Sequence, residues 1–405
     1  MIKDIGNYVV RNVFSNLTRS SLTILSIMIG IMAIFVFLSF GQGVTSYVDE
    51  IAEDMGVDNV IIMPAGGPFG TGENDLTRDD VDFLQNLGRV YNVAPFMAEI
   101  VEIQREEDGP GYYITMGGMS TLPGELEFSQ SVYAEFDIKV GRDLQRNARG
   151  EVVLGHNYRE PGKVFDRALE VGDRVLINGE RFRVVGFWEP IGNPQDDTSA
   201  MISIFDAEEL LGKEDKFQML YIRGHEGDPP DELADYIEEQ LRRFKDEEVG
   251  EETFMVMTME FMFQMFDQMF ALINGIVVAI ASISVFVSAV NIANSMYTSV
   301  LERTKEIGIM KALGARNSYI ASIFMAESGL LGFLGGSLGV AAGYGIATLG
   351  GQIVEAAGYG MLVPAFPVWL IAGCIIFATL VGALAGLFPS LQAARLKPVD
   401  ALREE

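Results

Sequence analysis

The chain carries few residues that could perform catalysis. Its two histidines, His156 and His225, stand at no motif spacing from a serine or cysteine, so neither completes a pair of nucleophile and base. The single cysteine, Cys374, excludes an intrachain disulfide and a cysteine-based zinc cluster. Acidic clusters around Glu106 and Glu247 lack the alternating spacing of a calcium-binding loop. We therefore expect no catalytic, metal-binding or cofactor-binding residues, and we expect that the protein is not an enzyme.

The segment with the clearest chemical character is Glu302–Arg316, ERTKEIGIMKALGAR, which is polar and lies between two apolar stretches. Its spacing predicts a short amphipathic helix that carries Ile307, Met310 and Leu313 on one face. Charged residues flank this face. An apolar ridge of this kind can insert into a groove on a soluble partner protein. We expect this segment to be a docking site.

Two further features could bind a ligand, but a structural interpretation is preferred for each. Glu327 is an acidic residue inside an apolar stretch, which makes it a functional candidate. We favour a polar contact between helices, or anchoring at the membrane interface, over ion translocation. The glycine-rich segment PAGGPFGTGEN at 64–74 lacks the lysine of a phosphate-binding loop, and we interpret it as a flexible loop.

Four long stretches that are almost free of charge must position these residues. Each stretch exceeds the roughly 20 apolar residues that a helix needs to cross ~30 Å of hydrocarbon. The predicted fold is an α-helical membrane protein with four transmembrane helices and a large mixed α/β extracytoplasmic domain inserted between helices 1 and 2. The predicted segments are a cytoplasmic amphipathic segment (1–19), transmembrane helix 1 (20–45), the extracytoplasmic domain with the start of a stalk (46–267), transmembrane helix 2 (268–300), a cytoplasmic coupling loop (301–316), transmembrane helix 3 (317–346), an outer loop (347–367), transmembrane helix 4 (368–390) and a cytoplasmic tail (391–405).

The distribution of charge supports this organisation and predicts its orientation. The net charge is −27, and residues 46–267 hold 48 acidic and 19 basic residues, which leaves 8 and 10 elsewhere. Basic residues occur in the N-terminal flank, in the 302–316 loop and in the tail, whereas the link between helices 3 and 4 has none. Because basic flanks stay in the cytoplasm, we expect a multi-pass protein of the cell membrane with both termini cytoplasmic. The acidity excludes a nucleic-acid binder that relies on a basic patch.

Periodic apolar and small residues predict where the helices make contacts. A heptad-like seam runs from the end of the domain into helix 2, and its partner is either helix 1 or the same helix of a second copy. Its Met and Phe side chains could also accept apolar ligands, although packing is the preferred interpretation. Glycines at four-residue spacing allow helices to approach closely. The seam comprises Met259, Met262, Phe266, Met269, Ile273 and Ile276, and the packing glycines are Gly332, Gly336, Gly339, Gly343, Gly382 and Gly386.

Within the acidic domain the patterns indicate mixed α and β structure. Residues 57–63 and 90–102 are predicted strands, and 77–87 is a predicted helix capped by Thr77. Alternation on both sides of Asn178-Gly179 predicts a hairpin. An amphipathic helix is predicted over 231–244, and residues 254–259 are predicted to end the domain as a strand.

The sequence resembles the permeases of MacB/FtsX-type ABC transporters. The resemblance rests on ERTKEIGIMKALGAR at Glu302, on MAESGLLGFLGGSLG and on the tail FPSLQAARLKPVDALREE, together with VGRDL, EVVLG and VGDRVLINGERFRVVGF in the domain. It implies a dimer in which motion driven by ATP passes mechanically along a stalk to the exterior domain. The size of that domain favours the MacB or lipoprotein-exporter branch over a minimal FtsX.

The resemblance also implies the partners. The chain has no GxxxxGK[ST] motif, so ATP and Mg are expected to be bound by a separate ABC ATPase subunit in the cytoplasm. Further expected partners are a second permease copy, membrane lipid and an exterior adaptor or hydrolase. The implied function is export or extraction of an amphipathic or hydrophobic substrate; the alternative is regulation of an extracellular cell-wall enzyme. The implied ATPase-coupling residues are Glu302, Arg303, Lys305, Glu306, Ile307, Gly308, Ile309, Met310, Lys311, Ala312, Leu313, Gly314 and Ala315.

Overall fold

A computed structural model describes residues 17–55, 59–66, 76–106, 110–133 and 136–397. Most of the predicted N-terminal amphipathic segment and most of the glycine-rich loop lie outside these residues. The chain divides into two compact units. The helical unit comprises the described residues within 1–45, 269–354 and 362–405, and the sheet domain comprises those within 46–268 and 355–361.

Long helices account for most of the helical unit, which also contains two helices of nine residues among those described. Among the described residues, four helical regions are long and apolar enough to cross a membrane: Ser20–Val48, Met259–Glu302, Asn317–Ala356 and Val368–Arg395. The described α-helices are α1 (Leu17–Met55), α2 (Arg78–Gln85), α3 (Leu126–Val132), α4 (Ile204–Leu211), α5 (Pro230–Phe244), α6 (Met259–Glu302), α7 (Thr304–Ala312), α8 (Asn317–Ala356), α9 (Val368–Ala385) and α10 (Leu387–Arg395).

The helix bounds differ from the predicted spans at each of the four helices. Helix α1 runs from Leu17 to Met55 rather than from 20 to 45, and α9 ends at Ala385 rather than at 390. Helix α6 begins directly after the last strand and has 44 residues, about 66 Å of helix, which is more than a bilayer core requires. Helix α8 continues to Ala356 rather than ending at 346. Residues 347–356 contain no proline that would end the helix. Pro367 caps α9, so that helix begins at Val368 as the sequence predicts.

The sheet domain is built on a mixed ten-stranded sheet. The strand order is β12-β1-β11-β3-β4-β9-β6-β8-β5, with β7 paired to β3 and β8, and a separate two-stranded sheet joins β2 to β10. Strands β4 and β9 run parallel, as do β6 and β8. The described strands are β1 (Asn59–Pro64), β2 (Leu76–Thr77), β3 (Val90–Arg105), β4 (Tyr112–Met119), β5 (Ile138–Gly141), β6 (Glu151–Leu154), β7 (Arg174–Ile177), β8 (Glu180–Trp188), β9 (Ala200–Ser203), β10 (Lys216–Phe217), β11 (Met219–Gly224) and β12 (Phe254–Thr258).

Local sequence chemistry explains several of these elements. Asn178 and Gly179 both have positive φ, 47° and 89°, which is the backbone of a two-residue hairpin turn between β7 and β8. Thr77 caps α2 as predicted, and Asp80 completes a capping box by accepting a hydrogen bond from the Thr77 amide at 2.8 Å. Lys245 lies 3.0 Å from the same Asp80 carboxylate.

The short segment 355–361 belongs to the sheet domain rather than to a separate outer loop. A Cβ atom placed on Gly192 would lie 2.9 Å from the Cα of Gly360, and one placed on Gly358 would lie 3.3 Å from the Cγ of Pro194. Gly192 has a φ of 85°, a conformation that favours glycine. The two backbones can approach this closely because neither glycine carries a side chain.

Each unit has its own apolar core. The largest core of the sheet domain is formed mainly by aliphatic side chains on one face of the sheet, covered by α2, α4 and α5. Smaller clusters, which include Phe128 of α3, lie on the other face. Leu233, Ile237 and Leu241 supply the buried face of α5 at the three- and four-residue spacing that predicted it. The core of the helical unit includes Ile31 and Phe35 from α1 together with side chains from α6, α7, α8, α9 and α10.

Candidate functional site

The most distinctive surface of the helical unit lies on α7, the short helix between α6 and α8. A single residue, Arg303, separates this helix from α6. Gly314, with a φ of 89°, lies just beyond its C-terminus. The amide of Gly314 donates to the carbonyl of Lys311 and the amide of Ala315 donates to that of Met310, both at 3.0 Å. These two bonds form a Schellman motif, which ends the helix and turns the chain toward α8.

One face of α7 packs inside the helical unit. The side chain of Ile307 is 0% exposed and belongs to the core, together with residues of α6 and α8. Met310 is partly buried against the same core. The sequence predicted Ile307, Met310 and Leu313 as one ridge facing a partner. This prediction is wrong for Ile307, because the apolar side chains of the neighbouring helices already cover it.

The opposite face of α7 is exposed and forms a stripe with helical spacing. Ile309 is 49% exposed and Leu313 is 84% exposed, and Ala312 lies between them on the same face. Lys305 and Glu306 precede this apolar patch, and Arg316 follows it. We call the exposed set 305, 306, 309, 312, 313 and 316 the α7 outer face. It combines an apolar centre with a charged rim, as in helices that dock into grooves.

Two basic residues of the segment point inward instead. A guanidinium nitrogen of Arg303 lies 3.4 Å from Oε2 of Glu327, and these side chains are only 13% and 7% exposed. The ammonium of Lys311 donates two hydrogen bonds of 2.7 Å, to the carbonyl oxygens of Ala394 and Leu396. Glu327 thus makes the polar contact between helices that the sequence favoured. No sequence pattern predicts the partners of Lys311, because backbone carbonyls accept hydrogen bonds whatever the residue type.

The predicted seam along α6 divides into two parts. At its start, Met259 is buried in a small core of the sheet domain, and Met262 packs against that core. Its later members have exposed side chains in this chain: Phe266, Met269, Ile273 and Ile276.

Helix α1 contacts a different face of α6 from the seam. Ser288 donates to the carbonyl of Ser26 at 3.0 Å, and the Asn291 amide donates to the Ser26 hydroxyl at 3.2 Å. The Asn274 side chain lies beside Gly41 of α1. Helix 1 therefore does not cover the seam at Ile273 and Ile276.

The predicted packing glycines lie where helices approach closely, and they form two rows on α8. Gly336 faces α9, where an added Cβ would lie 2.6 Å from Cβ of Ala378, and Gly332 faces the same helix near Gly382. The second row faces α1: added Cβ atoms would lie 2.8 Å from the carbonyl oxygen of Met28 for Gly339 and 3.0 Å from Phe35 for Gly343. Gly386 of the α9–α10 junction lies against the Ser328 side chain.

The sheet domain contains polar groups with altered properties, but they do not converge on a reactive centre. His156 contacts Glu160 at 3.3 Å, and His225 stacks edge-on against Tyr91. Burial raises the pKa of the Asp143 carboxyl above its ordinary value, although Leu144 and Gln130 donate hydrogen bonds to it. Within the described residues, no group of three or more His, Cys, Asp or Glu side chains could hold a metal ion.

This architecture, a four-helix membrane unit with a mixed α/β domain between its first two helices, defines a class of transporter permease. A family model described as MacB-like periplasmic core domain matches residues 20–240, and one described as FtsX-like permease C-terminal matches residues 278–398. An uncharacterized ABC transporter permease of Methanocaldococcus jannaschii is 34% identical over 410 residues, covering 100% of this chain and 98% of that protein. The chain belongs to the family of MacB/FtsX-type ABC transporter permeases.

Other relatives align over nearly all of this chain but differ in their own length. The permease YknZ of Bacillus subtilis is 27% identical and covers 97% of both chains. A macrolide export ATP-binding/permease protein MacB of Aeromonas hydrophila is 28% identical, but this chain, with 96% of its length aligned, spans only 58% of that protein. Among solved structures, the periplasmic region of MacB from Actinobacillus actinomycetemcomitans aligns with a TM-score of 0.43 and 14% identity, covering 53% of this chain and 95% of that one.

Proposed function

We propose that this chain is the permease subunit of an ABC transporter and that the α7 outer face binds a separate ATPase subunit. The observation that carries the proposal is the two-sided character of α7: Ile307 is enclosed by its own chain, while Leu313 and Ile309 remain exposed. An exposed apolar patch with a charged rim is the signature of a protein-binding site. The ATPase subunit binds ATP and Mg, and its motion is passed to the helical unit through α7.

The direction of transmission follows from the proposed orientation in the membrane. Basic flanks keep both termini and α7 in the cytoplasm, and the acidic sheet domain then lies outside. Helix α6 connects the two regions without a break, from its first turn beside β12 to its last residue, one residue before α7. A displacement of α7 is therefore carried along this helix to the sheet domain. We propose mechanical work on the outside rather than passage of substrate through a central channel.

The exposed seam of α6 supports a second copy of the chain as a further partner. Phe266 and Met269 lie near the start of α6, and the apolar row continues through Ile273 and Ile276. Each of these side chains is 42–54% exposed among the described residues. A row at three- and four-residue spacing is suited to pairing with an identical row. We propose a homodimer that brings two seams together, with lipid covering the remaining apolar surface.

The substrate class is proposed from composition and relatives. The MacB relative of Aeromonas hydrophila is described as a macrolide export ATP-binding/permease protein, and this chain spans 58% of its length. We propose export or extraction of an amphipathic or hydrophobic molecule, assisted by an exterior adaptor. The FtsX-like match over 278–398 supports the alternative in which the exterior partner is a cell-wall hydrolase under regulation. Identifying the protein captured by the sheet domain separates the two.

A charge placed on the α7 outer face tests the docking proposal. The chain is expressed with the ABC ATPase subunits of its source organism, one at a time, as wild type, Leu313→Asp and Val249→Asp. Both substituted side chains are exposed, at 84% and 80%, so neither substitution disturbs a core. We expect an ATPase to co-purify with the wild type and with Val249→Asp, and to be lost from Leu313→Asp. Equal recovery from both variants would contradict the proposal.

A further inference from the structure

We infer that Arg303 and Lys311 are positioning residues that clamp α7 to α8 and to α10, so that a push on the outer face moves both helices together. The inference rests on the proposed function and gives it a mechanism. It assigns these two residues to the interior of the permease, although their sequence positions lie inside the segment expected to contact the ATPase.

The first half of the clamp is the ion pair between Arg303 and Glu327. Arg303 occupies the single position between α6 and α7, and Glu327 lies about three turns into α8. Both side chains are largely buried, so water does little to screen their attraction. Removing either partner leaves an uncompensated buried charge, which is strongly unfavourable. The start of α7 is thereby tied to α8.

The second half is the pair of hydrogen bonds from Lys311. Its two acceptors, the carbonyls of Ala394 and Leu396, lie at the C-terminal end of α10. The last carbonyls of a helix have no partner within that helix, and they form the negative end of its dipole. The half-buried ammonium of Lys311 donates to two of these carbonyls, each at 2.7 Å. The last turn of α7 is thereby tied to α10.

The basic residues of the segment therefore fall into two groups with different tasks. Arg303 and Lys311 point inward and are bound within the chain, whereas Lys305 and Arg316 lie on the exposed side. A helix held only at one end would pivot when its outer face is pushed. Because α7 is held at both ends, its displacement is shared between α8 and α10, and through α10 with α9, which α10 follows after a single residue.

The first test needs no ATPase. Hydrogen exchange of α7 is measured on the full chain in lipid nanodiscs, for wild type, Lys311→Met, Lys311→Arg and Lys305→Met. We expect exchange across residues 309–313 to rise about tenfold in Lys311→Met, since two hydrogen bonds from a charged group are lost. Lys305→Met should match the wild type, and Lys311→Arg should restore most of the protection because it keeps a cationic donor. Equal exchange in the two methionine variants would overturn the clamp.

A charge reversal tests the other end of α7. Arg303→Glu and Glu327→Arg each place like charges together, so each should raise exchange across residues 304–308. The double variant restores opposite charges and should recover protection. Failure of the double variant to recover protection, while each single variant remains folded by its thermal transition, would show that the pair does not hold the helix.

The last test separates the clamp from docking. Lys311→Met should still co-purify with the ATPase, but ATP should no longer alter hydrogen exchange in the sheet domain. Loss of co-purification, as expected for Leu313→Asp, would place Lys311 on the docking face and overturn the inference. If Leu313→Asp also retains the ATPase, the docking proposal fails, while the exchange result on the chain alone still decides whether the clamp exists.

Discussion

The sheet domain and the helical unit bury their apolar side chains to very different extents. Among the described residues, the sheet domain encloses most of its large apolar side chains on its own: Trp188, Phe187 and Ile222 are almost inaccessible. The helical unit leaves whole helix faces uncovered, as at Ile280, Ile283 and Phe286 of α6. Water demands the first arrangement, whereas lipid and partner chains permit the second. The sheet domain is thus complete as a folded body, and the helical unit is completed by its surroundings.

Because of this difference, the exposure of a side chain indicates function in one unit more than in the other. In the sheet domain an exposed side chain is usually in contact with water, so its exposure carries little information. In the helical unit, exposure is informative where two faces of one helix differ, as on α7, where Ile307 is enclosed and Leu313 is exposed.

The chain also supplies one natural probe for each region: Trp188 in the sheet domain and the single cysteine, Cys374, in the helical unit. Both are buried.

The largest effect is expected from a cavity in the sheet domain. Ile222→Ala removes a fully buried side chain from β11, a strand inside the sheet, and should lower the free energy of unfolding by about 2–5 kcal/mol. Denaturant unfolding is followed by Trp188 fluorescence in a Trp369→Phe background. Ile100→Ala, at an exposed position of β3, is the control and should cost less than about 0.5 kcal/mol. Equal losses in the free energy of unfolding for the two variants would contradict the distinction between enclosed and exposed positions.

The helical unit should respond to overpacking at its glycine contacts. Gly332→Val forces a side chain against the Ala378 carbonyl and Gly382 of α9, and should destabilise the unit by about 1–3 kcal/mol. Gly345→Val lies on the same helix where no atom comes within 4 Å, and serves as the control. Thermal exposure of Cys374 to a thiol-reactive dye reports the transition. A lower midpoint for Gly345→Val than for Gly332→Val would refute the packing described for α8.

A smaller loss is expected at the N-terminus of α2. Asp80→Ala removes the capping-box acceptor and the partner of Lys245, and should cost about 1–2 kcal/mol, measured by the Trp188 signal. Asp79→Ala changes an exposed acid in the same turn and should cost a few tenths of a kcal/mol, about the value of a charge near the helix dipole. Should the two variants prove equal, the cap would not contribute as the geometry indicates.

The smallest effect concerns pH. Because burial raises the pKa of the Asp143 carboxyl, the folded sheet domain binds this proton more tightly than the unfolded chain does. Its contribution is fully present below the ordinary carboxyl pKa and is lost as pH rises through the raised value. The unfolding free energy of wild type, relative to that of Asp143→Asn, should therefore increase as pH falls from neutral to the ordinary carboxyl pKa of about 4. If the unfolding free energy of wild type instead decreases relative to that of Asp143→Asn over this range, folding lowers the pKa of Asp143 and the account is contradicted.

Patterns that depend on neighbouring residues were predictable from the sequence. The four apolar stretches, the Thr77 cap, the Asn178-Gly179 hairpin and the amphipathic helix ending at Phe244 all rest on short-range spacing or turn chemistry. The pairing of β1 with both β11 and β12 was not predicted, since it joins segments far apart in the chain. Likewise, hydropathy indicates that a stretch can cross a membrane, but it does not indicate where the helix ends. Helix α8 therefore continues to Ala356, ten residues beyond the predicted end at 346.

The short helix of the candidate site was predicted from its sequence, but the face that it exposes was predicted incorrectly for Ile307. Apolar residues occur on both faces of α7, so spacing alone could not decide whether Ile307 or Ile309 points outward. The neighbours decide it: α6 and α8 enclose Ile307 and leave Ile309 exposed. In the same way, the sequence shows Arg303 and Lys311 as basic residues of a docking segment, but only the fold shows that a distant carboxylate and two helix-end carbonyls bind them.

The central claim is that ATP-driven motion enters at the α7 outer face and reaches the sheet domain. Hydrogen exchange across residues 219–268 of the nanodisc complex with its ATPase, compared without nucleotide and with ATP plus vanadate, tests it most directly. We predict that nucleotide changes exchange around β12 and the start of α6 in the wild-type complex and in Val249→Asp. Removing the ATPase contact with Leu313→Asp should abolish the change. Identical exchange with and without nucleotide in a wild-type complex that hydrolyses ATP would contradict the claim.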